Sequence, residues 1–189
     1  MSLRRCVAAA PLRCWAGLKP GVAWTGSSPS EARDLHDYGR FLEDRYGYDQ
    51  IEQLDEEACF ALCPSPDYKG GFLDHGAAHL HPLNYALSLA RAAAAAGVRI
   101  CETSEVTAIE DGSPVLVRTE QGHVRADQLI LACNGYMGSL NRQVAAKVMP
   151  INNFIAATEP LGEDTARVLN RDVAVADSKF VVNYFRLSH

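Results

Sequence analysis

The run Asp127-Gln128-Leu129-Ile130-Leu131-Ala132-Cys133-Asn134-Gly135-Tyr136 constrains this chain more than any other stretch. Leu129 to Ala132 are consecutive apolar residues, too few for a buried helix and without polar alternation, so they predict a parallel strand covered on both faces. The strand would stop abruptly at Asn134-Gly135, a pair that permits positive φ and lets main chain approach a ligand with no Cβ in the way. In open α/β sheets ligands bind at that carboxyl end of a strand. Taken alone, the same residues also describe a core strand ending in a turn.

The elements leading into the run narrow the choice. Leu18 to Trp24 is a short apolar segment broken by Pro20 and Gly21, a strand remnant at most. Ser28-Pro29-Ser30-Glu31 reads as a capping box with proline at the first helical position. Ala32, Leu35, Tyr38, Leu42 and Tyr46 then recur at helical spacing, which predicts an amphipathic helix ending at Gly47. Asp55-Glu56-Glu57 opens a second helix that Pro64 stops, with Cys59 and Cys63 on one face. Residues 63–71 read as a loop. Pro82 begins a third helix through Leu83 to Ala96, about 21 Å long, closing on Gly97, with an alanine face suited to lying close to a sheet.

Beyond it, Val98 to Cys101 and Ser104 to Ile109 read as extended. Val115 to Thr119 and Val124 to Leu131 flank Glu120-Gln121-Gly122-His123 as a hairpin. Ile151 to Thr158 reads as a strand, Gly162 to Leu169 as a short helix, and Phe180 to Leu187 as a strand with Val182, Tyr184 and Arg186 on one face.

Composition sets the outer limits. The 189 residues are 48% hydrophobic and 22% charged, enough for one sizeable core or two small domains. A net charge of -5, with no basic run interleaved with aromatics, argues against nucleic acid as a partner. No apolar run approaches the length of a bilayer span. The six cysteines never form CxxC and sit mostly inside apolar patterns, as reduced thiols of a cytoplasmic protein would. Residues 1–17 combine arginine with alanine and carry no acid, the composition of a transit peptide, and equally of an added leader or of a start inside a longer reading frame. Asp74, His75, His79 and His81 invite a metal site, yet no further ligand has the right spacing and Pro82 makes His81 a helix cap. No metal ligand is therefore assigned.

The text Gly70-Gly71-Phe72-Leu73-Asp74, followed by Gly76-Ala77-Ala78-His79-Leu80-His81-Pro82-Leu83-Asn84-Tyr85-Ala86, resembles the FAD-dependent amine and amino-acid oxidases of the D-amino-acid oxidase-like group, nearest the gamma-glutamylputrescine oxidases. The likeness continues through Ser104-Glu105-Val106, Leu131 to Tyr136, Pro150, and Asp177 to Phe180 with Tyr184-Phe185-Arg186, covering roughly residues 18–188. It implies an α/β (mixed α+β) fold: part of an FAD-binding Rossmann-like domain with part of an antiparallel-sheet substrate domain. The implied partition is a leader at 1–17, a helical, substrate-side segment at 18–69, flavin-binding residues at 70–149 and substrate-side residues at 150–189.

By the same resemblance, the Val106 backbone holds the adenine end of FAD, and Ala132, Cys133, Asn134 and Gly135 pass close to the dinucleotide. Tyr184 and Arg186 lie nearest the substrate, a small amine oxidised with oxygen as acceptor. The residues themselves point independently to 132–135, but not to Val106, which as a valine in a short strand reads as core. One departure stands out. Family members open with a GxGxxG turn that anchors the pyrophosphate, and no GxGxxG occurs in this sequence. The expectation is therefore the middle of an oxidase, with a catalytically inactive remnant serving as an interaction module, or a histidine-based metal domain, as the other readings. No catalytic acid or base and no oligomeric state is assigned.

Overall fold

The computed structural model describes residues 16–188, which divide into two compact units, one of residues up to 97 with those from 159 onward and one of residues 98–158. Residues 1–15, and with them most of the expected leader, lie outside the described residues.

The first unit is built on a five-stranded sheet. Strand β1 (Lys19–Gly26) lies at its centre, antiparallel to β3 (Gly70–His79) on one side and parallel to β7 (Ala174–Asp177) on the other. Beyond them, β2 (Ile51–Leu54) pairs with β3, and β8 (Tyr184–Phe185) pairs with β7. The segment read as a strand remnant is thus the middle strand. Its breakers are accommodated by a register irregularity between Pro20 and Val22, the kind of bulge where proline and glycine are tolerated. Where the sequence reads as loop up to residue 71, β3 has already begun at Gly70. A Cβ on Gly71 would stand 1.9 Å from the Trp24 carbonyl oxygen, so the close β1–β3 approach requires glycine there.

The helices follow their local signals. In α1 (Pro29–Tyr46) the Glu31 amide donates to Ser28 Oγ at 3.2 Å, and Glu31 Oε2 accepts from the Ser27 amide at 2.7 Å. Gly47 closes the helix at φ 60. The helix packs on β1 and β3 through Ala32 and on Ile51 and Gln53 of β2 through Gly39, and the His36 ring N–H donates to the Leu54 carbonyl at 2.9 Å. In α2 (Glu56–Leu62) Asp55 Oδ1 accepts from the Ala58 amide at 2.8 Å, and Cys59 and Leu62 face inward. They join Ala23, Leu54, Cys63, Tyr68, Leu73, Leu169, Val173 and Val175 in the core. Burial, with Asp55 and Cys63 adding to it, pushes the Cys59 thiol up to about 11, and burial likewise raises Cys63. Both sulfurs therefore stay protonated and behave as small apolar groups rather than as ligands or nucleophiles.

Helix α3 (Pro82–Ala95) starts at a His81 cap and ends before Gly97 at φ 89, but its alanine face is not covered by a sheet. Only Ser88 is buried, and Leu83 is 61% exposed. Its local signals, the His81 cap and a run of strong helix formers, specify the element.

At the far end of the sheet, Asp177 is buried and ties the β7–β8 connection together. Its Oδ1 accepts from the amides of Asn183 (2.9 Å) and Lys179 (3.2 Å), and its Oδ2 from Asn183 Nδ2 (2.7 Å). Burial raises its affinity for a proton, but these donors together outweigh burial and hold the carboxyl below its ordinary range. The second expected strand spans only residues 184–185, because residues 178–183 form the turn that Asp177 organises.

The second unit is a three-stranded antiparallel sheet of β4 (Val106–Glu110), β5 (Val115–Thr119) and β6 (Gly122–Ala126). The hairpin is tighter than the sequence implies: Thr119 pairs with Gly122, leaving Glu120-Gln121 as the turn, and the second arm ends at Ala126 rather than Leu131. Residues 98–101 form no strand. Leu129 to Ala132 form none either, which corrects the central sequence expectation. A doubly covered parallel strand needs neighbours on both edges and helices on both faces, whereas β4, β5 and β6 pair only with one another, and Ile130 is 87% exposed. Residues 151–158 are likewise irregular and exposed. Residues 162–167 form a 3-10 turn where a short helix was expected.

Two measurements probe this architecture. Gly71→Ala, which drives a methyl into the Trp24 carbonyl, is expected to destabilise by the upper part of about 1–3 kcal/mol in urea unfolding. Gly122→Ala, with nothing within 4 Å of its Cβ, is expected to change stability by about 0.5 kcal/mol or less. The depressed Asp177 carboxyl stabilises the fold fully above its unfolded-state value near pH 4, and that contribution disappears as pH falls through its lower folded value. Wild-type stability is therefore expected to drop below about pH 4 more steeply than that of Asp177→Asn, measured by denaturant midpoints from pH 2 to 7.

Candidate cofactor and substrate sites

The second unit carries the residues expected at the cofactor. Val106 opens β4, half-buried, with its backbone paired to Thr119 and a register irregularity before Ala108. Beside it, Thr103, Ser104, Glu105, Thr107, Thr119, Glu120 and Gln121 line a polar cleft of about 160 Å³. Thr103 sits at φ 51, and its hydroxyl and that of Ser104 both donate to the Glu102 carbonyl, at 2.7 and 2.9 Å. The cleft offers hydroxyls, carboxylates and an amide, so it suits a hydrogen-bonding ligand rather than an apolar one.

Residues 132–135 lie after the sheet. Asn134 to Tyr136 make one 3-10 turn, closed by the Tyr136 amide donating to the Cys133 carbonyl at 2.9 Å. The sharp bend anticipated at Asn134-Gly135 is present, and its left-handed residue is Asn134 at φ 49. Asparagine tolerates that conformation better than most side chains. A Cβ on Gly135 would meet Pro150 at 3.7 Å, ordinary contact, so the protein itself does not demand glycine there. Pro150 lies against the half-buried Gly135, while Asn134 and Tyr136 are exposed, Tyr136 at 94%, and neither the polar cleft beside Val106 nor the groove beside Leu129 to Leu131 is lined by residues 132–135. This open main chain fits the part of a dinucleotide site that contacts backbone; it holds no counterpart of a glycine-rich pyrophosphate turn. A separate groove of about 490 Å³ runs beside the apolar run, between Leu129, Ile130, Leu131 and the sheet residues Ile109 and Val115.

The first unit carries the residues expected at the substrate. Phe185 and Leu187 pack on the core, and Tyr184 and Arg186 alternate with them. Tyr184, opposite Ala176, is exposed; Arg186 is half-buried and its Nη1 donates to the Leu187 carbonyl at 2.9 Å.

The three histidines do three different things. His75 Nε2 pairs with Glu52 Oε2 at 2.6 Å on the surface. His79 is buried, its Nε2 3.4 Å from the Asp172 carbonyl oxygen and 3.9 Å from Asp172 Oδ1; burial keeps its ring neutral, against the pull of Asp172. His81 Nδ1 accepts from the Asn84 amide at 3.3 Å as the cap of α3. Among the described residues no group of three or more His, Cys, Asp or Glu side chains is arranged to hold a metal ion. No described helix is long and apolar enough to cross a membrane. Sequence reasoning missed the Lys19–Asp172 ion pair beside His79, which joins residues far apart in the chain and leaves no local pattern.

Comparison with known proteins supplies the family. Residues 9–189 match the FAD dependent oxidoreductase family, DAO. The chain is 38% identical over 170 residues to a probable oxidoreductase OrdL of Rhizobium meliloti (strain 1021), covering 89% of this chain and 40% of that one. It is 38% identical over 172 residues to the gamma-glutamylputrescine oxidoreductase of Escherichia coli (strain K12), covering 90% and 40%. Among solved structures, the glycine oxidase of Geobacillus kaustophilus superposes with a TM-score of 0.63 at 24% identity over 75% of this chain and 40% of that one, a likeness of fold. The chain thus spans about 40% of the length of the curated relatives it matches. The family match over residues 9–189, on a chain whose fold carries both the mixed and the antiparallel sheet, shows that this chain belongs to the FAD-dependent oxidoreductase family.

Proposed function

We propose that this chain provides the flavin-facing and substrate-facing middle of an amine oxidase acting on a gamma-glutamylputrescine-like substrate. The observation that carries the reading is the open, left-handed bend at 133–135 in a chain of this family. In it, Val106 and the main chain of Ala132, Cys133, Asn134 and Gly135 hold FAD. Residues 70–149 serve the flavin; residues 18–69 and 150–189 serve the substrate side.

Bound FAD supplies two-electron acceptance, turning an amine C–N bond into an imine, with molecular oxygen as final acceptor and peroxide as its product. Water then splits the imine into an aldehyde and a released amine. What this chain contributes is placement. The Arg186 guanidinium is suited to a substrate carboxylate, which it can bind in a fixed, two-pronged geometry, and the exposed Tyr184 hydroxyl offers a neighbouring donor. The free thiols of Cys59 and Cys63, packed in the core rather than joined in a disulfide, suit a reducing compartment, and we place the protein in the cytoplasm on that ground.

A second reading, an inactive remnant kept as an interaction module, is favoured by the lack of any GxGxxG. Titration with FAD separates the two. Under the oxidase reading the melting temperature rises with FAD, by the equivalent of about 2.7 kcal/mol at a hundredfold excess over the dissociation constant. Flavin absorbance then co-elutes with the protein, and gamma-glutamylputrescine releases peroxide. No melting shift and no bound flavin, together with a defined protein partner in a pull-down, would favour the remnant, and absence of flavin and of peroxide release from the full-length parental protein would remove the oxidase reading. Gly135→Ala sharpens the test: it is expected to leave stability within about 0.5 kcal/mol, since its Cβ meets only ordinary contacts, while weakening FAD at least tenfold. Arg186→Lys is expected to raise KM for a carboxylate-bearing amine with little change for an uncharged one.

A further inference from the structure

Strand register sets a row of side chains on one face of the first unit's sheet. Phe72 of β3 stands opposite Trp24 of β1, Trp24 beside Ala176 of β7, and Ala176 opposite Tyr184 of β8. Partners at one register level project from the same face of a sheet, so Trp24 and Tyr184 share a face with one small residue between them. Neighbouring strands lie about 4.8 Å apart, which sets the two aromatic residues about 10 Å from one another across Ala176. This face is covered on one side only. Tyr38 of α1 lies against Phe72, their ring centroids 6.4 Å apart, and Phe72 is buried. Past Phe72 the cover ends: Trp24, on the central strand, is 40% exposed and Tyr184 63%, with Ala176 buried between them. Isolated surface aromatics need no explanation, but two left open at one level of a sheet, flanking an alanine, make a surface suited to a ligand.

A negative charge borders the same face. Gly26 follows Trp24 by two residues on β1, so both point to one side. A Cβ on Gly26 would lie 2.6 Å from the Ala32 amide nitrogen and 3.0 Å from Glu31 Cβ. The first turn of α1 is therefore seated on the Trp24 face, about 7 Å further along the strand. There the half-buried Glu31 carboxylate accepts from the Ser178 hydroxyl at 2.8 Å and the Ser27 amide at 2.7 Å. Those two donors hold it below its ordinary range, so it is ionised at neutral pH.

We infer that Trp24, Tyr184 and Glu31 form a binding site for an alkylammonium ion, whose chain lies against the two aromatic rings above Ala176 and whose charge is answered by the Glu31 carboxylate. The inference rests on register, exposure and charge, not on flavin or on the proposed amine oxidation. Charge complementarity selects this occupant. The faces of aromatic rings are negative and attract a cation laid over them, tryptophan most of all. A neutral chain of the same shape would gain the contact with the rings but leave the carboxylate unanswered, and an anion would be repelled by Glu31 and by the net charge of -5. Of the two aromatic residues only Tyr184 is marked by the family resemblance; Trp24 and Glu31 enter through the strand register and the seating of α1.

The test is titration of the whole chain at low salt with n-butylammonium, and with n-butanol as the uncharged probe, followed by ligand-observed proton NMR. The expected result is saturable binding of n-butylammonium in the millimolar range and none of n-butanol. Trp24→Leu, Tyr184→Leu and Glu31→Gln are each expected to weaken that binding about fivefold or more, and Trp24→Phe, which keeps a ring, by less than Trp24→Leu. Glutamine still completes the capping box at position 31, and Tyr184 is mostly in water, so loss of binding in either variant is not loss of fold. Tyr46→Leu, at an exposed ring on the far end of α1, is expected to change nothing. Equal binding of n-butanol, no saturable binding of n-butylammonium, or indifference to both Trp24→Leu and Glu31→Gln would each overturn the inference. The readout needs no flavin: n-butylammonium binding with this variant pattern in a chain that takes up no FAD counts against the oxidase reading alone, and flavin uptake with indifferent variants counts against this site alone.

Discussion

Parallel pairing of β1 with β7 is the constraint on which the first unit depends. Val22 stands opposite Ala174 and Thr25 opposite Asp177, so the pairing closes a loop of most of the chain. The entropy lost in closing a loop grows only slowly with its length, and the return is a core strand: Ala23 and Val175 keep no exposed surface, and the Thr25 hydroxyl donates to the Ala176 carbonyl at 3.3 Å. Once β7 is fixed, the turn after it is placed as well. The Ser178 amide donates to the Thr25 carbonyl at 3.0 Å, and the Ser178 hydroxyl to Glu31 Oε2 at 2.8 Å. The glutamate that caps α1 thereby also holds the start of the segment bearing Tyr184 and Arg186. Hydrogen bonds from Ser178 and Ser27 keep that carboxyl below its ordinary range.

Which parts of this were legible in the sequence follows from where their determinants lie. Helices α1, α2 and α3 are specified by residues within a few positions of their ends, Ser28 with Glu31, Asp55, His81 with Pro82, and Gly47 and Gly97 as stops, so reading the sequence found them. Strand β1 is hidden in the sequence because Pro20 and Gly21 look like breakers until a neighbouring strand absorbs them in a bulge. Strand β7, only Ala174 to Asp177, has no recognisable pattern at that length; its partner gives it meaning, and its partner is near the other end of the chain. The converse holds at 129–132 and 151–158, where strand-like composition forms no strand. Apolar composition there states a preference for burial, but burial needs a partner, and the described residues provide none.

The candidate site divides along the same line. Asn134 was readable because an Asn-Gly pair signals a left-handed residue from its own chemistry, although the structure puts positive φ on the asparagine and not on the glycine. Val106 carried no such signal. A half-buried valine at the head of a strand looks like any other, and only the resemblance of the surrounding text marked its backbone. Tyr184 and Arg186 were separable from Phe185 and Leu187 by alternation alone, a signal that survives even though the strand proper is two residues long.

The residues proposed for the flavin therefore sit on the unit least able to order itself. A flat main-chain platform at 132–135 binds well only if it is already held in one conformation, since fixing each backbone residue costs about 1–2 kcal/mol. The first unit draws such order from its core; the second, whose one buried apolar side chain among the described residues is Met137, has little to draw on.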